Sequence, residues 1–210
     1  MSQAAIETHV GVPNPEIPRA KAINLTRQAL ANGRWVTLVG ATHDTKTVVD
    51  KVLESHIARV QPLRVKLTMV ASTFSDVLSQ LHLRLAGNLI TPDTDSIQPG
   101  SIDEFVALAQ TYGSRNADAE LSPVITIEGI DKLAPQDIAR LLGALHKLKS
   151  NQSDSQFPPC QQPAVVLTGI CSPQDIISQY ATHYPRISRN LSYNIGMQFD
   201  VASSNSPARG

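Results

Sequence analysis

The chain has 210 residues, 41% of them hydrophobic and 4% aromatic, with 18 basic and 18 acidic side chains that leave a net charge of zero. This length holds one domain with a sizeable aliphatic core, and the charge balance excludes bulk attraction to nucleic acid or anionic lipid. The two cysteines, Cys160 and Cys171, are too few for a disulfide framework, and the six histidines lack the spacing of metal ligands.

Residues 1–18 are rich in proline and small polar side chains and are expected to form an extended arm. They show no basic start followed by an apolar run, and no long apolar stretch occurs elsewhere, so a cytoplasmic protein without a transmembrane segment is expected. A domain is expected over 19–200 and a disordered tail over 201–210. Ala22, Ile23, Ala29 and Leu30 recur at helical spacing before the stop signal Asn32-Gly33, which predicts a helix over 19–32. "RWVTLVG" then reads as a short buried strand. Val48, Val49, Val52, Leu53 and Ile57 predict an amphipathic helix over 46–58.

"LRVKLTMVA", 63–71, alternates like a strand, and Ser72 or Thr73 is placed to cap a helix carrying Val77, Leu78, Leu81 and Leu85. Ser101 with Glu104 forms the pattern of a capping box for a helix through Tyr112. "SPVITIEG" predicts a strand, Pro135 opens a helix through Leu148, and "AVVLTG", 164–169, is another buried strand after the polar loop 150–163. Ser172-Pro173 starts a short helix through Tyr180, and "NLSYNIGMQF" supplies the last strand. Strands alternating with helices argue for an α/β three-layer sandwich around a mainly parallel, five-stranded sheet.

The first strand-to-helix turn, "LVGATHDTKT" (38–47), carries the clearest chemical signal. A Walker A loop is G-x-x-x-x-G-K-[ST], whose amides cradle phosphates, whose lysine reaches the β and γ groups and whose hydroxyl binds Mg²⁺. Gly40, Lys46 and Thr47 are in register with it, but Thr45 stands where the second glycine belongs, and a β-branched residue tolerates positive φ poorly. An ordinary polar turn between strand and helix would give the same string.

"VITIEGIDKL", 124–133, resembles the Walker B strand of the AAA+ ATPases, and the order of elements over about 20–200 is similar to that superfamily. The resemblance implies ATP or ADP with Mg²⁺ as cofactor. It implies a backbone cradle running from Gly40 through Thr42, His43 and Asp44 to Thr45, with Lys46 on the phosphates and Thr47 and Glu128 holding the metal. Thr168, at the end of "AVVLTG", falls where the family carries sensor 1, facing the γ-phosphate. Arg186 and Arg189 in "YPRISRN" fall where an arginine finger often lies, although a pair of surface arginines would look the same. Glu128 is also readable as an acid capping a strand end.

Gly129 occupies the place of the family's water-activating carboxylate, and Asp131 lies two residues beyond it. Loss of that base removes several kcal/mol of transition-state stabilisation on the usual scale. With Thr45, Gly129 and a helical lid expected to be absent, the resemblance implies a structural or regulatory subunit of a larger machine or homo-oligomer, with weak or no hydrolysis. Within the superfamily, the short helix before the first strand and the compact size make the chain most similar to the secretion-associated and transposition-regulator members. The alternative is an active ATPase powering secretion or DNA transposition or mobilisation. Arg59, Arg64 and Lys66 are too few to define a DNA surface.

Overall fold

The computed structural model describes residues 15–57, 62–67, 73–89, 101–116, 122–153, 162–178 and 196–203. In chain order these form α1 (Arg19–Ala31), β1 (Val36–Val39), α2 (Thr42–Ile57), β2 (Leu63–Lys66), α3 (Phe74–Leu89), α4 (Ile102–Arg115) and β3 (Val124–Glu128). A 3-10 turn (Ile130–Lys132) leads to α5 (Pro135–Ser153), β4 (Ala164–Gly169), α6 (Pro173–Ser178) and β5 (Met197–Asp200).

The sheet has five strands in the order β2-β3-β4-β1-β5, and each neighbouring pair runs parallel. Parallel strands need crossover helices that cover both faces, and the burial pattern agrees: all six residues of β4 are buried, as are the first four of β3. The alternating "LRVK" of β2, at the sheet's edge, buries only Leu63 and Val65. No separate helical bundle accompanies this layered core among the described residues.

Helix starts follow local hydrogen-bonding chemistry. The Thr73 hydroxyl accepts from the Asp76 amide (3.2 Å) while Asp76 accepts from the Thr73 amide (2.8 Å), a reciprocal cap that holds the Asp76 carboxyl below the usual range. Ser101 and Ser172 cap α4 and α6, accepting from Glu104 (3.3 Å) and Asp175 (3.0 Å). Leu81 and Leu85 of α3 are fully buried, and truncating either to alanine would cost about 2–5 kcal/mol.

Several boundaries differ from the sequence-based expectation, among them the end of α5, which runs to Ser153 into the expected loop. Ile17, within the expected arm, forms a parallel bridge with Val201, receiving a bond from the Ala202 amide (3.0 Å) and donating to Asp200 O (2.7 Å). Val201, at the start of the expected tail, is buried because that bridge packs it against the core. Among the described residues, no helix is long and apolar enough to cross a membrane.

Candidate functional site

The chain leaves β1 for the edge strand β2 in one direction and leaves β4 for β5 in the other, so the β1–β4 boundary is a switch point where the strand ends diverge. β1 is followed by Gly40, whose φ of 150° and close approach both favour glycine: a Cβ there would lie 2.8 Å from Val201 O. The Gly40 amide donates to Gly169 O (3.0 Å), which ties the end of β1 to the end of β4.

After Gly40 the loop is shorter than expected. α2 begins at Thr42, four residues before the expected start at 46, and the Asp44 and Thr45 amides already donate to Ala41 O (2.9 and 3.0 Å). Thr45 is the cause. It does not adopt the positive φ open to a glycine, and its hydroxyl donates back to Ala41 O and Thr42 O, both at 3.3 Å, which stabilises a helical turn. Two amides expected in the cradle, those of Asp44 and Thr45, are therefore committed to the helix. His43 is exposed, and Asp44 is buried and faces Arg19 of α1 (3.5 Å), so both lie outside the cavity described next.

A cavity of about 190 Å³ opens at this sheet edge. Thr42, Thr45 and Lys46 of α2 line it together with Lys66 of β2, Glu128 of β3, Asp131 and Lys132 of the 3-10 turn and Thr168 of β4. Lys46, Glu128 and Thr168, three residues singled out by their sequence positions, thus meet in one place. Glu128 and Thr168 are register partners on neighbouring strands, and Lys66 is the register partner of Glu128 on the other side. The Gly129 amide donates to Thr168 O (2.8 Å) and to its hydroxyl (3.3 Å), which fixes the turn after β3 against β4. Gly129 itself has a φ of 79°, a left-handed conformation that disfavours a side chain.

Electrostatically the cavity is dominated by cations. Lys46 and Lys66 have no hydrogen-bond or ion-pair partner among the described residues, while Lys132 Nζ donates to Leu67 O (3.1 Å). Glu128 is held by Arg64 through Nε, and Arg64 Nη1 also pairs with Asp50 Oδ1 (2.6 Å). Burial works against the charged guanidinium, but the bonds and charges of Glu128 and Asp50 outweigh it and hold Arg64 above its ordinary value. Asp131 Oδ1 accepts from the Ile170 amide (2.9 Å).

Such a volume lies below the range of roughly 300–1,000 Å³ common for small-molecule pockets, and it suits a phosphate group better than a whole nucleotide. The residues do not fit a magnesium ion as arranged. Glu128 is occupied by Arg64, and the Thr47 hydroxyl donates to His43 O (2.8 Å) and does not line the cavity. No cluster of three His, Cys, Asp or Glu side chains suited to a metal occurs among the described residues. Arg186 and Arg189 lie outside the described residues.

Lys132 was not legible as a site residue, and Arg64 and Lys66 were legible only as scattered basic residues. The available signal was the alternation of "LRVK", which puts Arg64 and Lys66 on one face of β2. What was missing was the pairing of β2 with β3.

No family model matches the chain, and no curated protein matches it. Solved structures do match. Cdc6p from Pyrobaculum aerophilum is 14% identical, with a TM-score of 0.50 over 93% of this chain and 48% of that one. The Aeropyrum pernix ORC2 protein, solved in ADPNP-ADP complexes, is 14% identical with a TM-score of 0.50, over 92% of this chain and 50% of that one. The chain therefore spans about half the length of these proteins. At this identity the likeness shows the fold alone, an α/β P-loop NTPase-like fold with a mainly parallel five-stranded sheet.

Proposed function

We propose that this chain is an AAA+-like domain that takes ATP or ADP by its phosphates, hydrolyses it slowly or not at all, and serves as a structural or regulatory subunit of a larger assembly. The observation that carries this reading is the convergence of Lys46, Glu128 and Thr168 on one cavity at the switch point of the sheet. The Aeropyrum pernix ORC2 protein, whose fold this chain shares, was solved with ADPNP and ADP, which supports a nucleotide phosphate as the ligand class.

Weak turnover follows from the residues around the cavity. Gly129 brings no carboxylate to the turn after β3, and one oxygen of Asp131 is committed to the Ile170 amide. The early start of α2 removes two amides that would otherwise stabilise charge on a transferring phosphoryl group. A domain with so little catalytic equipment is better suited to sensing or bracing than to driving motion, whether in a homo-oligomer or in a secretion or DNA-mobilising machine.

The test is a titration with a fluorescent ATP analogue paired with a turnover assay. Binding should weaken by about tenfold or more in Lys46→Ala, the loss of one charge-assisted contact. Turnover should stay at background in wild type and variant alike. Steady hydrolysis that Lys46→Ala abolishes would favour the active-ATPase reading, with Asp131 as the base.

A further inference from the structure

We propose that the phosphate site of this domain works without a divalent metal, with Lys46 and Lys66 supplying the positive charge and Arg64 keeping the Glu128 carboxylate out of metal ligation. The inference rests on the reading of the cavity as a phosphate site and concerns how that site balances charge.

The arrangement starts in the four residues of β2. Alternation along "LRVK" puts Arg64 and Lys66 on the same face of the strand, and the parallel register sets Arg64 beside Thr126 and Lys66 beside Glu128. From there the guanidinium grips Glu128 through Nε and Asp50 of α2 through Nη1. Its fork geometry lets one arginine hold two carboxylates, which a point-charge ammonium does less well. A metal ion approaching Glu128 would have to displace a cation that is anchored twice, and until it did so the two positive charges would repel.

The second ligand that a metal would need is also engaged, since the Thr47 hydroxyl is bonded to His43 O along the helix and lies outside the cavity. Glu128 is 12% exposed and Arg64 26%, so their pairing is shielded from much of the solvent. With Glu128 neutralised, the cations lining the cavity are Lys46, Lys66 and Lys132, set against Asp131. Lys46 and Lys66 have no partner among the described residues, and both line the cavity, Lys46 from α2 and Lys66 from β2. Their charge replaces what a bound metal contributes elsewhere, and the ligand class is a phosphoanhydride, whether inorganic pyrophosphate or the diphosphate of a nucleotide.

Calorimetric titration of the full chain with pyrophosphate and with ADP, each in EDTA and in excess Mg²⁺, tests this. The expected result is binding in EDTA at least as tight as in Mg²⁺, weakened by about tenfold or more in Lys66→Ala. Arg64→Met should bind less tightly in EDTA, because Glu128 is then uncovered, and should respond to Mg²⁺ where wild type does not. Arg64→Lys is the second variant if Arg64→Met does not fold, and it should show the same response in weaker form.

Tightening of wild-type binding by Mg²⁺, by about tenfold or more, overturns the inference while leaving the nucleotide reading intact. Pyrophosphate binding in EDTA with ADP no tighter supports the inference and overturns the nucleotide reading. Absence of binding for both probes in both conditions overturns both, and a Lys66→Ala variant that binds like wild type overturns the inference alone.

Discussion

Arg64 of β2 and Glu128 at the end of β3, separated by 64 residues in the chain, are joined through Nε and a carboxylate oxygen. The contact does structural work as well as electrostatic work, because the same guanidinium reaches Asp50 and so ties α2 to the sheet edge. Arg64→Met should leave two carboxylates near each other without their cation and lower stability by about 1–3 kcal/mol. Urea unfolding at low and high salt checks this, and the gap between wild type and variant should narrow as salt rises.

Thr45 is the residue that converts a loop into a helical turn. Thr45→Gly should remove the hydroxyl bonds to Ala41 and Thr42, destabilise the first turn of α2 by on the order of 1 kcal/mol, and free the Asp44 and Thr45 amides. The variant should therefore be less stable and bind phosphate more tightly. Measuring both on the same protein gives the sign: tighter binding without any loss of stability would show that Thr45 does not hold the turn.

Gly40 matches a motif position, yet the structure gives it a packing role. Gly40→Ala forces a Cβ to within 2.8 Å of Val201 O at a φ of 150°, so unfolding without any ligand should show a loss of about 1–3 kcal/mol. A loss of ligand binding at unchanged stability would contradict that role.

His82 of α3 is 1% exposed and lies 6.5 Å from the ring of Phe105 on α4. Burial lowers its pKa below the ordinary 6.5, against the opposing effects of the Glu104 charge and a backbone contact at Ser101. The unfolded chain thus takes up the proton more readily than the folded one. The contribution of His82 to stability is present above about 6.5 and is lost as pH falls from there through the lower folded value. Thermal melts from pH 7.5 to 5 should show this decline, and His82→Leu should flatten it.

Where local rules decide the outcome, the sequence was readable. The continuous apolar run "AVVLTG" matches the bounds of β4, Pro135 opens α5, Ser101 caps α4 as its spacing predicts, and of the two candidates Ser72 and Thr73 it is Thr73 that caps α3. The start of α2 departs from a phosphate-loop pattern because the β-branched Thr45, which fits positive φ poorly, closes a helical turn where that pattern has a glycine. Motif position alone points to Lys46, Glu128 and Thr168, which line one cavity. It does not point to the Arg64–Glu128 pair, since that pair depends on strand order and register, which no local pattern encodes.

The bridge between Ile17 and Val201 has a mechanical consequence. The two segments run side by side in the same direction, so tension applied backwards along the first and forwards along the second slides one past the other. The hydrogen bonds at Asp200 and Ala202, with those joining β1 to β5 behind them, then share the load and do not peel apart singly. A domain clamped in this way would pass force between its flanking segments with its sheet intact.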